Sequence, residues 1–230
     1  MLNNKIIWVS KLNNIKKNPS IFIANEFFDA IPIKQFRKKK NLWFEKFINL
    51  NSQEKPFFFE KKTNIKKIEK KINFKMFQNQ NFVEYSELSL NYLKDISKII
   101  KRDSGGLLLI DYGYTNKKMK DTLQAVSNHK FANILNNIGN VDITHNISFN
   151  LFKNFVEKIG GLTSNLTTQK KFLIKMGIKQ RAEIISQKQN FLKKTDIYYR
   201  LNRLIDEKQM GTLFKVMLVK DKKNKFKFGF

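Results

Sequence analysis

Short, continuously apolar runs alternate along this chain with stretches in which apolar residues recur every three or four positions, a pattern that predicts strands followed by helices. Residues 20–24 (Ser-Ile-Phe-Ile-Ala) and 107–110 (Leu-Leu-Leu-Ile) read as parallel strands buried on both faces. They are expected to lie side by side, with Asn25 and Asp111 at their carboxyl ends. Residues 5–9 read as a further short strand. Over residues 86–102, Leu90, Leu93, Ile96, Ile99 and Ile100 share one helical face, and Gly105-Gly106 gives a stop signal. Residues 148–159 and 168–176 read as helices closed by Gly160-Gly161 and Gly177. Residues 179–192 and 195–205 are expected to be helical, residues 212–220 a strand, and 221–230 a lysine-rich tail.

After Pro32 the period changes. Residues 33–37, 42–50 and 56–61 are β-like pieces broken by polar segments, which predicts an antiparallel β insertion over 33–61. In the lysine-rich stretch 63–80, Ile65, Ile68 and Ile72 stand at near-helical spacing, and helix, loop and edge element all remain open. With no internal repeat or linker visible, residues 1–230 are read as a single α/β domain.

Composition narrows the chemistry. Apolar content of 41% with 22 Phe supplies a substantial core, while zero Cys and two His exclude disulfide scaffolds and the common zinc-ligand sets. The longest purely aliphatic interior run, residues 107–110, is far short of the ~20 residues of a membrane helix. Residues 1–10 lack a secretory pattern, so a cytoplasmic location is expected. Lys+Arg 45 against Asp+Glu 19 gives +26, which raises nucleic acid or an anionic membrane as partners. However, the cations are 40 Lys and only 5 Arg, beside 27 Asn, 26 Ile and 22 Phe, all types with A/T-rich codons. Codon composition accounts for that mixture, and phosphate and base readers favour the arginine fork. A solvated lysine surface is therefore favoured over a nucleic-acid site built from the lysine clusters, with Phe226 and Phe228 for stacking.

Three constellations carry candidate chemistry. Asn25-Glu26-Phe27-Phe28-Asp29-Ala30 follows the first buried run, and the carboxyl ends of parallel strands are where open sheets take ligands. Glu26 and Asp29 share a face if the chain turns helically there; capping by Asp29 and plain solvation of Glu26 are the bland alternative. Asp111-Tyr112-Gly113 ends the second run, as a ligand-side group or simply a turn. The third is Gly139-Asn140-Val141-Asp142-Ile143-Thr144-His145, with His129 upstream; Asp142 and His145 are a candidate proton-transfer pair, and Thr144 or Asn146 is equally explicable as a helix cap. The nine glycines, at 105, 106, 113, 139, 160, 161, 177, 211 and 229, match neither G-x-G-x-x-G nor a Walker loop.

Taken together, I-A-N-E-F-F-D-A-I-P-I-K-Q-F from Ile23, G-G-L-L-L-I-D-Y-G-Y from Gly105, T-L-Q-A-V-S-N-H, G-N-V-D-I-T-H-N-I-S-F, T-Q-K-K-F-L-I-K-M-G-I and M-G-T-L-F-K-V resemble the MidA family. These are S-adenosylmethionine-dependent methyltransferases of Rossmann-like fold, including the mitochondrial complex I assembly factor that methylates an arginine. The resemblance covers the C-terminal two-thirds and lacks the family's glycine loop. It implies an incomplete Rossmann-like class I methyltransferase sheet with the β insertion and a helical C-terminal part, and S-adenosylmethionine as cofactor with its main binding loop absent. It further implies catalytic Glu26 and Asp29, Asn25 on the cofactor side, and Asp111, Tyr112, His129, Asp142 and Thr144 around the substrate, with no metal. The expected partners are a protein substrate, by resemblance a respiratory complex I subunit, and a separate N-terminal half. A non-catalytic assembly protein derived from the family is the alternative.

Overall fold

The computed structural model describes residues 6–127, 130–136 and 138–230. In chain order its elements are β1 (Ser20–Asn25), β2 (Lys34–Lys39), β3 (Leu42–Leu50), β4 (Pro56–Thr63), α1 (Ile65–Ile72), β5 (Phe82–Tyr85), α2 (Glu87–Asp103) and β6 (Gly105–Tyr114). There follow β7 (Gln124–Ser127), β8 (Lys130–Ala132), β9 (Asp142–Thr144), β10 (Ile147–Ser148), α3 (Phe149–Lys158) and β11 (Thr163–Thr168). The chain then forms α4 (Gln169–Lys175), α5 (Ile178–Ser186), α6 (Phe191–Ile205), α7 (Met210–Leu213) and β12 (Phe214–Lys220).

The main sheet has the order β1-β6-β12-β11, with β10 pairing the far end of β6. β1 runs parallel to β6, from Ser20↔Gly105 to Asn25↔Ile110, as expected from the two apolar runs. β12 is antiparallel to β6 and β11 antiparallel to β12. The link from β1 back to a parallel neighbour is made by α2, whose Ser86 hydroxyl accepts the Ser89 N–H at its first turn. The buried face of α2 carries Leu90, Leu93, Ile96 and Ile100, each contributing about 1.5–3 kcal/mol by leaving water.

Two glycines make this strand arrangement possible. Gly105 (φ +112) begins β6 where a Cβ would stand 1.9 Å from the Ser20 carbonyl oxygen, so only glycine lets the two strands start side by side. At Gly113 a Cβ would come within 2.4 Å of the Ile147 carbonyl and 2.6 Å of the Phe149 ring. That glycine lets β10 and α3 close over the end of β6.

Several expectations are corrected. Residues 6–9 form no strand and Trp8 is 91% exposed, because no neighbouring strand offers them hydrogen-bond partners. β1 is not buried on both faces: Phe22 and Ala24 pack on the core, whereas Ile21 and Ile23 are 80% and 71% exposed. It is an edge strand whose second face is open. The insertion acquires a fourth strand, giving the antiparallel order β4-β3-β2-β5, and residues 65–72 settle as α1, started by the Asn64 side chain on the Lys66 and Lys67 N–H groups. The expected helix over 179–192 splits into α5 and α6, since Asn190 opens a new helix by accepting the Lys193 N–H. β11 and the small sheet β8-β7-β9 were not expected.

One cluster of buried side chains, including Phe28, Phe36, Leu90, Phe149 and Met217, joins the main sheet to the insertion sheet. Among the described residues no helix is long and apolar enough to cross a membrane.

Candidate functional site

Because β1 and β6 are parallel, their carboxyl ends open on the same side of the sheet. The chain leaves β1 at Glu26, whose backbone is left-handed (φ 46) while its N–H still donates to the Ile110 carbonyl at 3.0 Å. A non-glycine residue in that region costs roughly 1–2 kcal/mol, so it is held there by its surroundings. One of the contacts that hold it is visible: the Tyr112 hydroxyl, from the end of β6, donates to Glu26 Oε2 at 2.9 Å. The Tyr112 ring packs on Phe214 with centroids 4.2 Å apart. Glu26 thus presents an exposed carboxylate whose position is set by the neighbouring strand. Burial and the Glu26 carboxylate push the Tyr112 hydroxyl up to about 12, so it remains a donor through the physiological range.

Behind this pair, Asp111 is wholly buried. Its Oδ2 accepts the Phe28 N–H at 3.1 Å and its Oδ1 the Tyr112 N–H at 2.9 Å, so one carboxylate clamps the loop after β1 to β6. Burial and the nearby Asp29 raise the Asp111 pKa to about 7, against the pull of those N–H donors. Asp29 is also buried and raised, first by burial and then by Glu26, with His145 acting the other way. Asp29 Oδ1 has no hydrogen-bond partner among the described residues.

The Asp29 carbonyl accepts both the backbone N–H of His145 at 3.0 Å and its ring Nδ1 at 2.5 Å. Since a carbonyl only accepts, Nδ1 carries the proton, and burial lowers the ring pKa from its ordinary 6.5, leaving a neutral imidazole with Nε2 as acceptor. Next to His145, the Asn146 N–H donates to Thr122 Oγ1 at 2.9 Å. Thr122 in turn donates to the buried Glu84 through its N–H at 3.2 Å and through its hydroxyl. Gln35 Nε2 bridges Glu84 at 2.6 Å and Asp121 at 2.7 Å. Through this chain the insertion sheet is tied to the loop that carries Glu26 and Asp29.

The structure therefore brings together Asn25, Glu26, Asp29, Asp111 and Tyr112, but in two layers. Asn25 and Glu26 are exposed and Tyr112 is half-buried, while Asp29 and Asp111 are buried, and Asp111 is a brace between the two strand ends. Glu26 and Asp29 share no helical face, since residues 26–30 form a bend and a turn. Asp142 and His145 do not pair: Asp142 is exposed on β9 opposite Val126, whereas His145 holds the Asp29 carbonyl. Thr144 caps no helix; its hydroxyl accepts from Gln124 across the small sheet at 3.1 Å. His129 lies outside the described residues. The bracing roles of His145, Thr122 and Glu84 were missed, because only contacts between segments distant in sequence reveal them.

A family model described as "Putative S-adenosyl-L-methionine-dependent methyltransferase" matches residues 1–168. The mitochondrial protein arginine methyltransferase NDUFAF7 of Danio rerio is 24% identical over 217 residues, covering 93% of this chain and 50% of that protein. The Homo sapiens protein of the same name is 26% identical over 224 residues, covering 91% and 47%. A Burkholderia thailandensis protein, crystallised bound to S-adenosyl-homocysteine, superposes with a TM-score of 0.78 at 20% identity over 97% of this chain and 58% of that one, a likeness of fold. The chain spans about half the length of the curated relatives it matches.

Asn25 is exposed at the carboxyl end of β1. The 230 residues contain no glycine cradle for S-adenosylmethionine. Gly113, the one glycine at a carboxyl end of the paired strands β1 and β6, has its missing Cβ volume filled by Ile147 and Phe149, not left open for a ligand.

Proposed function

Because the chain belongs to the S-adenosyl-L-methionine-dependent methyltransferase family whose model it matches, we propose that its residues form the acceptor wall of a methyl-transfer site for protein arginine. The observation that carries this reading is the exposed Glu26 carboxylate at the end of β1, fixed by the Tyr112 hydroxyl from β6. A guanidinium is cationic and planar, and a preplaced carboxylate holds one of its edges by charge-assisted hydrogen bonds. That leaves a nitrogen free to face the methyl donor, so the contribution is orientation rather than covalent chemistry. Asp29, with an unpartnered buried oxygen beneath Glu26, adds negative potential and receives a second N–H when the acceptor enters. The acceptor itself, by resemblance, is a subunit of respiratory complex I.

S-adenosylmethionine supplies the methyl group, and the glycine cradle that holds it comes from a further segment docking on β1. Among the described residues the outward N–H and C=O groups of Ile21, Ile23 and Asn25 have no strand partner, and Ile21 and Ile23 leave apolar surface uncovered beside them. Both features fit a strand-and-helix segment from the half of the relatives that this chain does not match. The second reading, a non-catalytic assembly protein, is favoured by the lack of a glycine cradle in these 230 residues.

The deciding experiment joins the chain to the half of a relative that it does not match and compares Glu26→Gln with the parent. Glu26→Gln is expected to reduce methyl transfer to the arginine acceptor about 10–100-fold while S-adenosyl-homocysteine binding stays within about twofold, as loss of a charge-assisted contact on the acceptor side alone requires. Unchanged turnover of the folded variant would refute the role of Glu26.

A further inference from the structure

Beyond the site, the insertion sheet, α1 and α3 enclose two adjoining cavities, of about 880 Å³ and 170 Å³, that share Phe74, Lys75, Gln78 and Asn79 among their walls. Six lysines line them: Lys38, Lys66, Lys70 and Lys75 in the larger, and Lys75, Lys117 and Lys158 in the smaller. None of the six forms a salt bridge among the described residues, a state they share with most lysines of this chain. The carboxylate in the lining, Glu69, is turned onto the Met76 and Phe77 N–H groups at 2.8 and 3.1 Å. What sets the groove apart is the convergence of six lysines on two adjoining cavities with one carboxylate among their walls.

The groove also leads somewhere. Gln80 accepts the Met119 N–H at 3.0 Å and donates to the Lys117 carbonyl at 2.8 Å, fastening the turn after Phe77 to the loop that follows β6. Asn150, in the first turn of α3, lines the same cavity. The smaller cavity is thus walled by segments that follow the carboxyl ends of β6 and β10, the end of the sheet at which Glu26 and Tyr112 also stand.

We propose that this groove binds an acidic stretch of a polypeptide, the partner or substrate protein, and holds it across the insertion toward the site. Calling the partner a polypeptide rests on the protein-acceptor reading above; binding is measured without methyl transfer, so each can fail alone. The groove suits carboxylates better than nucleic acid because its aromatic residues Trp43, Phe74 and Phe77 are buried edge-on to their neighbours and offer no open ring for base stacking.

The test uses the 230-residue chain and a fluorescent oligoglutamate peptide, read by anisotropy at low salt. Lys66→Gln/Lys70→Gln/Lys75→Gln is expected to weaken binding about tenfold, three surface charge contacts of modest size. Lys222→Gln/Lys223→Gln/Lys225→Gln, which removes equal charge from the exposed tail, is expected to change it less than about twofold. Zero-length carbodiimide coupling of the peptide to the unaltered chain, mapped by mass spectrometry, locates the contact without any variant and should mark Lys66, Lys70, Lys75, Lys117 or Lys158. Equal losses in the two triple variants, or coupling confined to the tail, would overturn the proposal. So would a single-stranded oligonucleotide of matched charge that binds the groove more tightly than oligoglutamate.

Discussion

Replacing Asp111 by asparagine separates two effects that the carboxylate combines, and pH tells them apart. In the folded chain the Asp111 pKa stands at about 7 against an ordinary 3.8, raised by burial and by Asp29. A carboxyl whose folded pKa exceeds its unfolded one binds more protons in the native state between those two values. Stability from this group is therefore fully present below pH ~4 and is lost as pH rises to about 7. At about 1.4 kcal/mol per pH unit the full span from 3.8 to about 7 is worth some 4 kcal/mol, and sharing of the proton with Asp29 brings the expected loss to roughly 2–4 kcal/mol. The asparagine amide cannot titrate, but its single oxygen can accept only one of the two N–H groups that Asp111 accepts from Phe28 and Tyr112, which costs about 1–3 kcal/mol. Asp111→Asn should accordingly gain roughly 1–2.5 kcal/mol on the parent between pH 5 and pH 8, whatever the constant cost of the lost N–H acceptor. Urea denaturation at both pH values, scored as the difference in midpoint at unchanged slope, isolates Asp111 because other carboxylates cancel between the two proteins. A stability difference that stays constant from pH 5 to pH 8 would refute the assignment of a buried, proton-binding carboxyl.

Three further outcomes follow from the same geometry. Gly113→Ala should lower stability by about 1–3 kcal/mol, seen as a reduced melting temperature, since the added methyl meets the Ile147 carbonyl and the Phe149 ring. Calorimetry of the 230-residue chain alone should give a Kd for S-adenosyl-homocysteine weaker than about 0.1 mM, and micromolar binding would show that the β1 and β6 wall suffices. Ile23→Lys should shift the chain's own stability by less than about 0.5 kcal/mol, because Ile23 is exposed, while abolishing the proposed association with the part of a relative that this chain does not match in a pull-down assay.

The parts of this fold that sequence revealed are those written in local periodicity. The apolar face from Leu90 to Ile100 and the run Leu107 to Ile110 gave α2 and β6, and the breaks after Arg37 and Leu50 gave the hairpins of the insertion. Residues 163–168 (Thr-Ser-Asn-Leu-Thr-Thr) are half-buried along their whole length and carry no strong alternation; what makes them a strand is pairing with β12. Ser20 to Ala24 shows the opposite limit, since an apolar run cannot announce whether both its faces are covered. The site was legible to the extent that Glu26, Asp29, Asp111 and Tyr112 follow strand ends. Their division into an outer layer and a buried brace was not, because it depends on an N–H contributed from 83 residues away.

The parallel pairing of β1 with β6 also has a timetable. Ser20 meets Gly105, a separation of 85 residues (105 − 20), so during synthesis the ribosome completes β1 well before its partner exists. At about 5–20 residues per second that interval lasts roughly 4–17 seconds, long compared with the microseconds a hairpin needs. The sheet β4-β3-β2-β5 and α1 are encoded within that interval and, apart from β2 with β5, join neighbours in sequence, so they can form while Ile21 and Phe22 wait in solvent. A nascent chain halted just after Tyr85 is thus expected to expose β1 to chaperones, and release past Tyr114 to withdraw it.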